Sequence, residues 1–150
     1  MDTLSDSQLQ AWRLFIIAHA RLINKIDAQL EAASKIPLHW YDVLIELYEA
    51  DNRRLRMYDL AERVVLSRSG LTRLVDRLEK AGLLKREMDP KDRRGYYVVI
   101  TEAGIQALRE SWPIYAAGIR EHFAHYLTEE DASTFIRVFT AMLEAADHSD

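Results

Sequence analysis

Apolar positions in the first part of the chain recur at helical spacing. Leu9, Trp12, Ile16, His19, Ile23, Ile26, Leu30 and Ala33 alternate steps of three and four, a heptad stripe on one long helix from Ser5 to about Ser34. Pro37 is expected to end it, because its ring disfavours helix at Ile36 and it has no N–H to donate. A second helix, roughly His39 to Ala50, sets Trp40, Val43, Leu44 and Leu47 on one face. The stripe returns in the last third. After a Thr101 cap come Ile105, Leu108, Trp112, Tyr115, Ile119 and His122, with Pro113 expected to kink or divide the helix near Trp112. Thr128 opens a final helix in which Ala132, Phe135, Phe139, Met142 and Ala146 keep the same spacing.

The middle of the chain reads differently. Asp51 to Arg54 is a polar turn, Leu55 to Met57 a short extended piece, and Tyr58 to Val64 a short helix with Leu60, Ala61 and Val64 on one face. Ser67 or Ser69 can cap the next helix, Arg68 to Ala81, which buries Leu71, Leu74, Val75 and Leu78 and stops at Gly82. Two strand-like runs follow, Leu83 to Met88 and Tyr96 to Thr101, joined by an exposed hairpin tip, Asp89 to Gly95. The expected fold is mainly α, an α+β winged helix: six helices with a small β-hairpin wing. Residues 37–101 form the winged unit, and 1–36 with 102–150 a helical dimerisation region within one continuous domain.

Charge changes the picture. The 150 residues carry a net charge of −4, yet Arg53 to Tyr97 holds thirteen Lys/Arg against seven Asp/Glu. A basic module sits on an acidic scaffold, which the net value conceals. The helix from Arg68 to Ala81 exposes Arg68, Ser69, Thr72, Arg73, Asp76 and Arg77 between its leucines. Arginine can bond a guanine edge or a phosphate, and small hydroxyls let the backbone approach a groove. Lys91, Arg93 and Arg94 ride on the projecting hairpin, where a narrow, negative minor groove would receive them. The plainer alternative makes Arg73 and Arg77 surface ion-pair partners of Asp76.

Leu55–Ala61, Leu66–Arg86 and Asp89–Gly95, running on to Thr101-Glu-Ala-Gly104, resemble the MarR family of transcriptional regulators. The wing motif of aspartate, any residue, arginine falls on Asp92, Arg93 and Arg94. The resemblance implies a homodimer on a pseudo-palindromic, double-stranded DNA operator, acting as a ligand-responsive repressor. Arg94 would enter the minor groove and Asp92 would orient the wing by ion pairing. Ser67, Arg68, Ser69, Thr72, Arg73 and Arg77 would meet bases and phosphates, beside Lys91 and Arg93. The sequence departs from the family where the short helix opens at Arg56 and Met57, since relatives often have a Ser or Thr cap there.

The resemblance also implies a small aromatic or phenolic effector in a crevice beside the dimer helices. Candidate lining residues are Trp12, Phe15, Ile16 and His19 on the first helix, Trp40, Tyr41 and Leu44 on the second, and Trp112 and Tyr115 on the fifth. The same residues also suit ordinary core or dimer packing. The terminal stripes themselves can pack on each other within one chain or across a two-fold axis, and the dimer is the favoured reading.

Other classes fare poorly. There is no cysteine, so disulfides, zinc–thiolate sites and thiol chemistry are excluded. His122 and His125, with Glu121, have a spacing that permits a metal but no third ligand in sequence, so neither metal nor cofactor is expected. The glycines are isolated and no nucleophile motif occurs, so no enzyme is expected. The longest apolar runs are five residues, Leu14–Ala18 and Tyr96–Ile100, against ~20 for a membrane span, so no membrane partner and a cytoplasmic location are expected. A winged-helix module that binds an acidic protein instead of DNA is the alternative from another class.

Overall fold

The computed structural model describes residues 3–64, 66 and 68–148, with Arg68 described by its backbone. The order is α1 (Asp6–Ala32), α2 (Leu38–Glu49), a 3₁₀ turn (Asp51–Arg53), β1 (Arg54–Arg56), α3 (Met57–Arg63), α4 (Arg68–Lys80), β2 (Leu84–Asp89), β3 (Asp92–Ile100), α5 (Glu102–His122), a second 3₁₀ turn (Ala124–Tyr126) and α6 (Glu129–Asp147). The three strands form one antiparallel sheet in the order β1-β3-β2. Ser67, foreseen as a cap of α4, lies outside the described residues.

Helix starts follow their caps. Ser5 and Gln8 exchange side-chain and backbone bonds at the start of α1, and Thr128 and Asp131 do the same at α6. Thr101 accepts from the Gly104 N–H at 3.2 Å and donates its hydroxyl to the Gly82 carbonyl at 2.6 Å. That one side chain therefore opens α5 and ties it to the end of α4.

Three boundaries differ from the sequence expectation. α1 stops at Ala32, just short of the expected end near Ser34, and the stop is made by Ser34 and not by Pro37: Ser34 turns left-handed (φ 57°) and the N–H groups of Ser34 and Lys35 bond back to Glu31 and Leu30. Pro37 instead precedes α2 as its N-cap residue. α5 runs unbroken through Pro113, which is exposed, so the Arg109 carbonyl that loses its helical donor lies on the watered side. The hairpin tip is also shorter than the expected span of Asp89 to Gly95. Both strands extend into it, leaving Pro90 and Lys91 as the turn.

The main core joins α2, α3, α4, the sheet and α5. Leu44, Leu47, Leu60, Leu71, Val75, Leu78 and Val98 have no exposed surface. Each such side chain contributes about 1.5–3 kcal/mol by leaving water. Tyr41 joins this core and Trp40 lies half-buried against it, so the inward face of α2 is wider than its aliphatic stripe. A smaller cluster of Ile26, Leu30 and Leu38 packs on Ile114, Tyr115 and Ile119, seating the C-terminal half of α1 on α5. Gly118 marks the closest approach there: a Cβ would stand 2.9 Å from Gln29 Oε1.

α6 is different. None of its nineteen residues is buried.

Candidate nucleic-acid interface

α4 sorts its residues by face. Leu71, Leu74, Val75 and Leu78 are at most 3% exposed, while Ser69, Thr72, Arg73, Asp76, Arg77 and Lys80 lie on the open side. Gly82 (φ 76°) ends the helix, with its own N–H on the Glu79 carbonyl and that of Leu83 on the Leu78 carbonyl.

The acidic residues on α4 are occupied. Arg86, on β2, donates to Asp76 with one guanidinium nitrogen and to Glu79, at 2.7 Å, with the other. Its backbone N–H also donates to Glu79, at 3.0 Å. Burial works against the Arg86 cation, but hydrogen bonds to Asp76, Tyr96 and Glu79 outweigh it and hold the group firmly charged. Asp76 therefore answers Arg86 and not Arg73 or Arg77, which form no ion pair among the described residues.

The wing is built on a second carboxylate that the sequence reading did not single out. Asp89 is only 7% exposed and pairs with Arg56. Its other oxygen accepts the Lys91 N–H at 2.9 Å, closing the turn. That backbone bond is the main reason its carboxyl sits below the ordinary range, and the nearby Arg56 cation adds to it. Asp92 accepts the Arg94 N–H at 3.0 Å. The ion pair foreseen for Asp92 is thus made by Asp89, while Asp92 shapes the backbone under Arg94. The signal for Asp89 in the sequence is its place directly before Pro90-Lys91, a position from which a carboxylate closes a turn.

Ten of the thirteen cations of the basic stretch fall into two sets. Arg53 donates to the Tyr48 carbonyl, and Arg54, Arg56, Arg63 and Arg86 pair with Glu87, Asp89, Glu46, and Asp76 with Glu79. Arg73 and Arg77 on α4, and Lys91, Arg93 and Arg94 on the wing, are exposed and form no ion pair among the described residues. Such a set on one helix face and one projecting hairpin is suited to a polyanion.

The residues foreseen for an effector fall into two groups. Trp12, Phe15, Ile16 and His19 are all exposed along α1, with the Phe15 ring 6.2 Å from Trp12, 6.4 Å from His19 and 5.5 Å from Phe139. Tyr41 and Tyr115 meet edge-on at 5.0 Å, with Trp112 5.9 Å from Tyr115. No ring contact joins the two groups among the described residues. Leu44 has no exposed surface, which removes it from any open crevice and returns it to the core. His19, expected within an apolar stripe, is open to water in the single chain. One polar atom at the second group is unpaired: Ser111 is 1% exposed, and its hydroxyl has no partner among the described residues. His125 is exposed and His122 lies 3.8 Å from Glu121, and the described residues hold no set of three ligands placed for a metal.

A three-stranded sheet with a projecting hairpin, set behind a helix that presents cations, defines a winged helix-turn-helix. The MarR family model matches residues 34–95. HTH-type transcriptional regulator MhqR of Bacillus subtilis is 34% identical over 104 residues, 69% of this chain and 67% of MhqR. YkoM, another HTH-type regulator of Bacillus subtilis, is 33% identical over 90 residues, 60% of this chain but 57% of YkoM's length. A MarR family transcriptional regulator from Streptomyces coelicolor, solved in complex with DNA, superposes with a TM-score of 0.91 at 32% identity, covering 99% of this chain and 93% of that one. The chain belongs to the MarR family and is a DNA-binding transcriptional regulator. Among the described residues no helix is long and apolar enough to cross a membrane.

Proposed function

We propose that the chain acts as a homodimeric repressor on a pseudo-palindromic operator, with α4 of each protomer in a major groove and the wing in the adjacent minor groove. Residues 37–101 form the reading unit, and residues 1–36 with 102–150 form the dimer. The observation that carries this reading is the set of exposed cations, Arg73, Arg77, Lys91, Arg93 and Arg94, on the helix and the wing. Ser67, Arg68, Ser69 and Thr72 are the further residues proposed to meet bases and phosphates, with Ser67 and the Arg68 side chain outside what the structure describes. Two-fold symmetry in the protein requires half-sites about one helical turn, ~10 bp, apart. The work is binding and not catalysis, and its place is the cytoplasm, where the chromosome lies.

Repression is relieved by a small aromatic or phenolic ligand. Support for a site at the α2–α5 junction comes from the buried Ser111 hydroxyl, unpartnered among the described residues, one turn before Tyr115, with Tyr41 and half-exposed Trp112 nearby. Such a ligand acts only through unequal affinity for the operator-fitting and misfitting states, and about 1.4 kcal/mol of difference shifts occupancy tenfold.

A gel shift with duplex from upstream of the chain's own gene, against a scrambled duplex of equal length, tests the reading. Preferential retardation of the native duplex is expected. Equal retardation of both at every salt concentration overturns the sequence-specific operator, and retardation of neither favours the acidic-protein partner.

A further inference from the structure

We propose that Arg56 is a positioning residue for operator contact: it reaches across the central strand at Gly95 to Asp89 and so fixes the wing against the helix-turn-helix. This rests on the DNA-binding reading above. The sheet register sets out the path. Arg56 stands opposite Tyr97, and Tyr97 opposite Glu87, so β3 lies between Arg56 and β2. Side chains alternate along a strand, so Gly95, Tyr97 and Val99 share the face of β3 that the Arg56 side chain crosses.

Gly95 leaves that path open. A Cβ there would stand 2.5 Å from the Arg56 Nη1 atom, closer than real carbon atoms come to a neighbour. The Tyr97 ring lies beneath the guanidinium, 4.8 Å from its centre, and sets its height over the sheet. At the far end Asp89 stands where the register slips between Met88 and Asp89, at the root of the two-residue turn. A carboxylate this enclosed needs its cation. Deprived of Arg56, its easiest relief is to swing outward into water, carrying Lys91, Arg93 and Arg94 with it.

The near end explains an irregularity in the sequence. Arg56 is both the last residue of β1 and the residue before α3, and α3 has no side-chain cap there. The position most helices give to a Ser or Thr is held by a side chain that serves the wing instead. Because β1 runs directly into α3, the clamp joins the hairpin to the helix that precedes α4.

The test uses the full-length protein and two measurements. In free protein, amide exchange at Lys91 and Arg94 is expected to quicken in Arg56→Met and in Gly95→Ala, with α4 unchanged. On the native upstream duplex, each variant is expected to bind about ten-fold more weakly, within the span that coupled neighbours show. Arg56→Met combined with Arg94→Ala is expected to lose less than the sum of the two single losses, since Arg56 acts through the wing that carries Arg94. Losses that add in the double variant make Arg56 a direct DNA contact and overturn the proposal. So does unaltered wing exchange, whatever happens to the melting temperature. If the wild type shifts no duplex, the DNA reading fails, and the exchange measurement still decides whether Arg56 holds the wing. Asp89→Asn serves as the third variant should either of the others fold poorly.

Discussion

Phe15 on α1 and Phe139 on α6 face each other with ring centres 5.5 Å apart, so the two ends of the chain close on an aromatic contact. The contact continues from Phe139 to Phe135 at 5.4 Å and from Phe135 to Phe123 at 5.8 Å. Among the described residues, fifteen of the eighteen exposed large apolar side chains lie on the N-terminal segment with α1, on α5 and on the segment from Phe123 through α6. A patch of this extent marks an association surface.

The chain is therefore expected to sediment at twice 17.4 kDa at micromolar concentration. Ile16→Glu or Met142→Glu places a charge in the patch and should weaken association by about 100-fold or more, roughly 2.7 kcal/mol. A single species of 17.4 kDa in the wild type would contradict the dimer.

Arg94→Ala is expected to weaken operator binding about ten-fold while leaving stability within ~0.5 kcal/mol, because the residue is exposed at the wing. The plot of log affinity against log salt should become shallower by about one charge. Binding identical to wild type across a salt series would remove Arg94 from the contact surface.

Gly104→Ala should be among the most damaging small substitutions. The added Cβ would stand 2.1 Å from the Leu83 carbonyl oxygen and 2.7 Å from Ile100 Cγ1, both held in the sheet and its flank. A loss of about 1–3 kcal/mol is expected in urea unfolding. Ser34→Gly should act the other way and raise stability by roughly 1 kcal/mol, because Ser34 holds a left-handed φ of 57°. A destabilised Ser34→Gly variant would show that its side chain contributes more than its backbone strain costs.

Two carboxyls are expected to make the fold acid-sensitive. Asp89 is held below the usual 3.8 by the Lys91 N–H and then by Arg56, and Asp131 by the Thr128 N–H and then the Thr128 side chain. Both favour the ionised folded state, so their stabilisation is full above the ordinary value and fades as pH falls through the lowered one. Thermal melts from about pH 6 to pH 3 should show this acid limb, and Asp89→Asn should flatten it. An unchanged slope in that variant would show that Asp89 does not drive the acid limb.

Helical periodicity made most of the architecture readable before any coordinates. The leucines of α4 and the caps at Thr101 and Thr128 signal their elements locally, because each rests on spacing or on one side-chain bond. What stayed hidden depends on contacts distant in sequence. The end of α1 near Ser34 is readable, but nothing local says that a left-handed Ser34, and not Pro37, makes the stop. The extended wing strands depend on Asp89 meeting Arg56 across a third strand. Glycine and proline at the shoulders of Asp89–Gly95 look like a loop until that crossing is known. Arg73 and Arg77 are legible as surface cations, but only the bond from Arg86 to Asp76 tells that they form no ion pair among the described residues. The aromatic residues resembled one cluster because a heptad stripe specifies a face and not which neighbour meets it.

A helix of nineteen residues with nothing buried in its own chain has a thermodynamic consequence. Short isolated helices gain little from backbone bonds alone, so α6 takes most of its order from whatever covers it. When the cover is a second copy, folding of this segment becomes second order in protein. The melting temperature should then climb with dilution reversed, rising by a fixed increment for each decade of concentration. Copy number in the cell would set the fraction of chains that are whole as well as the fraction bound to DNA, and newly made chains at low abundance would meet proteases before they meet each other.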